Sequence, residues 1–434
     1  MPCSDALRER IRLAWLRDLP TSWSWRRFGD VLEQVPRPVE LVDDSVYRQP
    51  LIRRNHGGIV LRDVQLGRAI KTKRQFVVRD GDWLMSKVQI MHGAYGIVPP
   101  DLDGAVASGS YFSFRAKPVL HLPFLWYLSH LPAFHLSCDV SSVGVVIEKM
   151  VFRVDDWMGF ELPLPPLPEQ RKIAAILSSV DDAIEATQAV IDQVQVVKKA
   201  MMAELLTRGI PGRHTKFVKT AIGEIPETWA VVSLRDVARV RGGKRMPKGR
   251  PFAPGTTAYP YIRVSDLVDG TVAPDGLKYV QPEDRQGIRN YTIAVDDLYI
   301  SIAGTLGLVG ELPADLDGAQ LTENAAKITG INRTRLDKAY LMYVLQGDHC
   351  QAQIGRAKGV GAGVPKLALF RIESIRIPVP RIDEQREVSA AIRGLVLRTR
   401  CETEVLEAWR LLKKNLSRVL LTGEVRVQPD EDAA

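Results

Sequence analysis

Two short stretches of the chain carry the densest positive charge. RVRGGKRMPKGR at 239–250 holds six basic residues and no acid, and GRAIKTKRQFVVR at 67–79 holds five and no acid. Arginine and lysine in Gly-rich loops can approach a phosphate backbone, and arginine can also read a guanine edge through two hydrogen bonds. The residues singled out for contact with DNA are Arg241, Lys244, Arg245, Lys248 and Arg250, with Arg263 further on. In the first half they are Arg68, Lys71, Lys73 and Arg74, followed by Arg53 and Arg54, with His56 beside them in LIRRNHGG. A solvated basic loop is the alternative reading of each cluster. GRAKGVGAGVPK at 355–366 reads as a flexible surface loop. It is not a P-loop, because GK[ST] is missing.

Catalytic chemistry finds little purchase. Cys3, Cys138, Cys350 and Cys401 are far apart and form no CxxC pair, so neither a zinc module nor a disulfide scaffold is expected. PDLDGA at 100–105 and ADLDGA at 314–319 invite a metal reading of Asp101, Asp103, Asp315 and Asp317. Asp and Gly also favour tight turns, and the turn is the preferred reading. The chain has no [ND]PP[YF] motif for amino-methyl transfer and no Walker lysine, and no Ser/His/Asp or Cys/His arrangement stands out among its seven histidines. No catalytic residue and no metal ligand is expected.

The 434 residues suffice for two sizeable cores, with 45% hydrophobic and 25% charged residues arguing against wholesale disorder. A net charge of +8 favours an acidic partner, of which nucleic acid is the commonest. No apolar run approaches the ~20 residues that span a bilayer, and MPCSDALRERIRLAW lacks the apolar core of a signal peptide, so a cytoplasmic protein is expected.

What positions the basic clusters is a chain written twice. DLPTSWSWRRFGDV around Trp23 aligns with EIPETWAVVSLRDV around Trp229. The DLDGA stretches follow, then PLPPLPEQRKIAAIL at 163–177 against PVPRIDEQREVSAAI at 378–392, then VVKKAMMAELLT at 196–207 against LLKKNLSRVLLT at 411–422. The offset runs from about 206 (Trp23 to Trp229) to about 215 (Pro163 to Pro378). Each half reads as a mixed α/β domain followed by a long helix. The segments are a leader 1–17, a first globular domain 18–162, a helix 163–210, a second globular domain 211–377, a second helix 378–427 and a tail 428–434. The leader has no partner in the repeat and is expected to complete a junction with the C-terminal tail.

In the first helix, Ile173, Leu177, Val180, Ile184, Ile191 and Val194 recur at steps of three and four, continuing through Met201 and Leu205. Val388, Ile392, Leu395, Leu406, Trp409 and Leu416 do the same in the second, continuing to Leu420. This is the rhythm of a coiled-coil seam. Each helix would be ~55 Å long and cannot bury its stripe alone. Packing on its own globular domain is one solution. Packing of the two helices on each other, antiparallel and related by a pseudo-two-fold axis, is the preferred one.

These motifs resemble the specificity subunits of type I restriction-modification systems. KTAIGEIPETWAVVSLRDVARVRGGKRMPKG at 219–249 is similar to the opening of that family's recognition domain, and the proline-led Glu-Gln junction before a long helix occurs twice. The resemblance implies two target-recognition domains (α+β) joined by an antiparallel coiled coil, each reading one half of a split DNA target. It implies no catalytic centre in this chain. It also implies two methyltransferase subunits and restriction-translocase subunits as partners, holding S-adenosylmethionine, ATP and Mg2+. The first domain departs from the pattern, since RPVELVDDSVYRQPLIRRNHGGIV has no Gly-Gly-Lys. A self-contained restriction-methylation enzyme and a coiled-coil scaffold that does not bind DNA are the alternatives.

Overall fold

A computed structural model describes residues 5–15, 18–144, 150–268, 270–356 and 366–428. Positions 357–365 of the loop expected to be flexible therefore lie outside the described residues, as does 429–434 of the tail. The chain divides into two compact units, Met1–Gln188 with Val405–Ala434, and Ala189–Glu404, so that each long helix contributes to both.

The first unit runs α1 (Asp5–Trp15), β1 (Ser24–Arg27), β2 (Leu32–Gln34), β3 (Val46–Ile52), β4 (Ile59–Leu66), β5 (Trp83–Ser86), β6 (Tyr95–Ile97) and β7 (Tyr111–Ala116). It continues through α2 (Leu122–Leu128), α3 (Pro132–Val140) and β8 (Glu161–Leu164) into α4 (Leu167–Leu205). Its central sheet is antiparallel with the order β2-β7-β5-β6, while β1 pairs separately with β8, and β3 with β4. The core is aromatic: Phe28 stacks on Trp157 with ring centroids 4.0 Å apart, and Trp83, Tyr95, Phe114 and Phe134 complete it.

The second unit repeats the plan. It comprises β9 (Ala230–Ser233), β10 (Arg239–Gly242), β11 (Leu298–Ser301), β12 (Val309–Glu311), β13 (Ala325–Thr329), α5 (Lys338–Gln346), α6 (Asp348–Arg356), β14 (Arg376–Val379) and α7 (Ile382–Leu421). The sheet order is β10-β13-β11-β12, the same topology, and β9 pairs with β14 as β1 does with β8. All four side chains of β11 are buried because the sheet is covered on both faces. Leu298 and Ile300 enter one apolar cluster and Tyr299 another, the period-two alternation of a strand.

The Asp-Gly repeats are turns. Pro100–Leu102 and Ala314–Leu316 are single 3-10 turns followed by Gly104 and Gly318 at φ of 75° and 76°. Asp103 accepts the Asp80 N–H at 3.0 Å, and Asp317 accepts that of Val295 at 2.9 Å.

Both long helices start within a few residues of the positions read from the sequence, and their seam residues are inside. Ile173, Leu177, Val180, Ile191, Val194, Val388, Ile392 and Leu406 are buried, whereas Ile184, Leu395, Trp409 and Leu416 are half-buried. The two solutions considered for the seam share it. Ile173 and Leu177 belong to the first unit's core together with Leu420 and Leu421, and Val388 and Ile392 belong to the second unit's core with Leu205 and Leu206. Within the first unit the helix pairing is antiparallel. Glu169 meets Arg426 at 2.7 Å, and Asp181 meets Lys413 at 2.5 Å. In the second unit a groove is lined by Val190, Val194 and Val197 of α4 and by Leu395 and Arg398 of α7, while Glu384 meets His214 beyond the end of α4. No helix among the described residues is long and apolar enough to cross a membrane.

Of the leader, residues 5–15 are described, while the tail it was expected to join lies, beyond Gln428, outside the described residues. α1 lies across α3 and β8, because its apolar face (Leu7, Ile11, Trp15) needs burial and finds it in the first core. Trp15 Nε1 donates to the Glu161 carbonyl at 2.9 Å and Arg12 pairs with the Glu161 side chain at 2.6 Å. Arg426, just before the tail, meets Ser22 and Glu169 and lies over the Trp23 ring.

Candidate nucleic-acid interface

The two Pro-x-x-x-Glu-Gln junctions, starting at Pro165 and Pro380, fix each globular domain to its helix, and they do so by the same bonds. Gln170, fully buried, accepts the His121 N–H at 2.8 Å and donates to the carbonyls of Val119 and Pro165. Gln385, also fully buried, accepts the Asp337 N–H at 2.8 Å and donates to the carbonyls of Arg335 and Pro380. His121 and Asp337 cap α2 and α5, so each amide ties the start of a domain helix to the start of a long one. The neighbouring glutamates are buried too. Glu169 takes the Trp23 indole N–H at 3.2 Å and two bonds from Arg426, while Glu384 takes the Trp229 indole N–H at 3.2 Å and a bond from His214 at 2.7 Å.

On this frame the second domain mounts its basic loop. β10 pairs with β13, placing exposed Arg241 opposite Lys327. The chain then passes so close to 321–322 that a Cβ on Gly243 would lie 2.1 Å from the Thr322 carbonyl oxygen, so only glycine fits there. Lys244 N donates to the Leu321 carbonyl, and the Tyr261 hydroxyl donates to the Lys244 carbonyl. The Gly-Gly-Lys motif is thus pinned through both backbone groups of Lys244 while the Lys244 ammonium lies 5.6 Å from the Tyr291 ring centroid at the surface. Met246, Phe252 and Tyr259 fold the rest of the loop onto Tyr261, Val280 and Ile288.

Not every arginine in this region is available. Arg245 pairs with Glu323 at 2.5 Å, a hydrogen bond that raises the guanidinium's pKa above its usual value, and Arg250 pairs with Asp284 at 3.2 Å. Arg263, expected at the DNA surface, is used internally. It forks onto Asp266 at 2.7 and 3.1 Å and also donates to the Gly276 carbonyl, holding a turn together. Lys248 is exposed. Charge clustering could not find Arg285, whose guanidinium lies 4.4 Å from the Tyr259 ring centroid, since it is far from the loop in sequence.

In the first domain Arg68 pairs with Asp44 at 3.4 Å and Lys73 with Asp43 at 2.6 Å, both pairs at the surface on one acidic turn. Lys71 and Arg74 are exposed and enter no ion pair among the described residues. Arg53 and Arg54 sit at the tip of the β3–β4 hairpin, both exposed, with Arg54 Nε donating to Gln89 at 2.6 Å. His56, half-buried, turns away from them toward Tyr95, His130 and His135. Burial lowers its pKa to about 4, and the two neighbouring imidazoles add to the shift.

Comparison with known proteins then decides the family. The sequence matches the type I restriction modification DNA specificity domain twice, over residues 23–196 and 226–407. The chain belongs to that family. The two matches coincide with the two repeats of sheet, turn and junction, so the family member carries two specificity domains. It is similar to the type I restriction enzyme MjaVIII specificity subunit of Methanocaldococcus jannaschii, 23% identical over 94% of either chain. Its fold is similar to that of the type I restriction-modification S subunit from M. genitalium, with a TM-score of 0.57 and 13% identity over 94% of this chain and 98% of that one. A chain solved in work on complex assembly and conformational transition of the type I system gives the same TM-score of 0.57, at 19% identity over 94% and 100%.

Proposed function

We propose that this family member reads a split, asymmetric DNA target, one half through each recognition domain, as the specificity subunit of a type I restriction-modification complex. The observation that carries the reading is a contrast between the repeats. Sheet order, Asp-Gly turn and Glu-Gln junction are shared, while the exposed basic elements differ: a Gly-Gly-Lys loop in one domain and an arginine-bearing hairpin tip in the other. A shared frame with unlike surfaces suits two unlike half-sites separated by bases that go unread. Arg241, Lys244, Lys248, Arg53, Arg54, Lys71 and Arg74 are the contacts we assign. Arg245, Arg250, Arg68 and Lys73 reach phosphate only by exchanging a carboxylate partner.

The long helices dock the partners. Val196 and Val197 of α4 and Leu397, Val405, Leu411 and Leu412 of α7 are exposed on otherwise charged helices, as apolar side chains that another subunit covers. We assign that role to two methyltransferase subunits, through which restriction-translocase subunits join. S-adenosylmethionine, ATP and Mg2+ belong to those partners in the cytoplasm, and this chain contributes recognition rather than catalysis. The test is methylome sequencing of a host with and without this gene, its methyltransferase being present. A split motif that gains adenine methylation only with the gene establishes the role; an unchanged methylome refutes it.

A further inference from the structure

In each sheet the recognition segment follows the first strand. After β10 this is the Gly-Gly-Lys loop, and after β2 the chain goes instead into the β3–β4 hairpin. The hairpin pairs from Val46↔Leu66 to Ile52↔Ile59, and Ile52 and Ile59 anchor it on Val78, Leu84, Ala94 and Val98. Its tip is strained. Asn55 and His56 have φ of 55° and 57°, the two positive-φ residues other than glycine among the described residues, and they are adjacent. Such conformations persist only where the surroundings over-determine them, and they gather at functional sites.

The surroundings do so here. Asn55 N donates to the His92 carbonyl at 2.6 Å and His56 N to the Gly93 carbonyl at 3.2 Å. Arg53 N closes the loop on the Gly58 carbonyl at 2.9 Å. The His56 ring is the plug. Its Nε2 lies 2.8 Å from the Tyr95 hydroxyl and 3.0 Å from His135 Nε2, and its ring lies against that of His130, tilted by 40° with centroids 4.3 Å apart. Two of these are held in turn: the Tyr95 hydroxyl donates to the Ser129 carbonyl at 2.8 Å, and His130 Nδ1 lies 2.7 Å from the Trp126 carbonyl. The outcome is that Arg53, Arg54 and Asn55 stand exposed on a tip whose backbone is already set.

Resting on the DNA-reading function above, we propose that the β3–β4 tip is the base-reading element of the first domain, with Asn55 and Arg53 meeting base edges and His56 as the positioning residue that presets them. Asparagine matches adenine N6 and N7, and arginine matches guanine O6 and N7, each through two hydrogen bonds. A preset tip avoids the ordering cost that a flexible loop would meet on binding. The left-handed pair turns the chain back on itself so that consecutive side chains 53–55 leave the hairpin while residue 56 enters the domain.

The experiment uses the full chain co-expressed with its methyltransferase and a randomised duplex DNA library, with bound DNA selected and sequenced. Asn55→Gly removes the side chain and keeps a backbone that glycine adopts freely. It should lower the preference at one base of the first half-site by about 5- to 150-fold, the worth of one bidentate contact, and leave the second half-site's consensus unchanged. His56→Ala should raise the KM of methylation at sites with an intact first half and leave kcat in place. Wild-type selectivity retained by Asn55→Gly would overturn this inference while leaving the specificity function standing. A wild-type complex that selects no sequence at all would overturn both.

Discussion

Replacing Gln385 by alanine should destabilise the second unit by about 3–5 kcal/mol. The side chain is fully buried and makes three bonds, accepting from Asp337 N and donating to the Arg335 and Pro380 carbonyls. Truncation orphans the Asp337 N–H, which costs roughly 1–3 kcal/mol. Two carbonyls lose their donor, and a cavity opens where large-to-small changes cost about 2–5 kcal/mol. These contributions overlap, hence a total nearer the upper end of either. In a unit of 150–250 residues each kcal/mol moves Tm by about 2–4 °C, so a fall of about 6–20 °C is expected. Gln385→Glu should cost at least as much at neutral pH, since it turns a carboxylate toward two carbonyl oxygens. Calorimetry of the full chain is the assay. Gln170→Ala should lower the transition of the first unit and Gln385→Ala that of the second. A shift equivalent to less than about 1 kcal/mol in either would show that water replaces these bonds, and the account of the junction would fail.

Other expectations concern the surface. Affinity for the target should fall by orders of magnitude between ~50 and ~200 mM salt if about six or more phosphates are neutralised, and a flat salt response would sink the phosphate contacts. Lys244→Ala should weaken binding with Tm unchanged, whereas Arg263→Ala should lower Tm because its fork onto Asp266 is internal; the reverse pattern in paired binding and melting assays would reassign them. Burial lowers the pKa of His130 and His135 as well as that of His56, the last to about 4. The docked tip therefore binds fewer protons than the released one. Its docking is full above the ordinary histidine value of about 6.5 and is lost as pH falls from there toward 4. Hydrogen exchange of the 53–58 amides, corrected for intrinsic rate, should speed up over that window; unchanged protection would refute the plug. Cys401 is exposed while Cys138 and Cys350 are buried with raised pKa values, so iodoacetamide should label Cys401 first among these three, and a bound methyltransferase covering α7 should slow it.

The repeat, the long helices and the Asp-Gly turns were legible because their signals are local: collinear motifs, a three-four apolar step, and turn residues in a row. The Glu-Gln pair was visible as a motif, but its purpose was not. Gln170 and Gln385 act on backbone groups some fifty positions upstream in the chain, 119–121 and 335–337, which no spacing rule connects. The basic clusters show the complementary limit. Charge density located the Gly-Gly-Lys loop, yet it could not tell Lys244, held at the surface, from Arg245, already paired with Glu323 seventy-eight positions away. Arg263 was misplaced for the same reason in miniature, since an Asp three residues on decides its role only once a turn brings them together. The histidine plug is assembled from 56, 130 and 135 and leaves no local trace.

What the duplication accomplishes follows from where polar groups are satisfied. In the frame they close on themselves: the Glu-Gln junctions, the Asp103 and Asp317 turns and the Arg37–Asp82 fork at 2.5 and 3.0 Å have their bonds made inside one unit. Such networks are rigid, and a change in one member is costly because it strands the others. Several exposed cations of the recognition elements are bound by no such closure. Lys71, Arg74 and Lys248 can be exchanged without orphaning a buried partner, and the segment after the first sheet strand is a hairpin in one domain and a loop in the other. A chain built this way can alter what each domain reads while the sheet, the turn and the helix junction stay fixed, which is the property a split and asymmetric target requires.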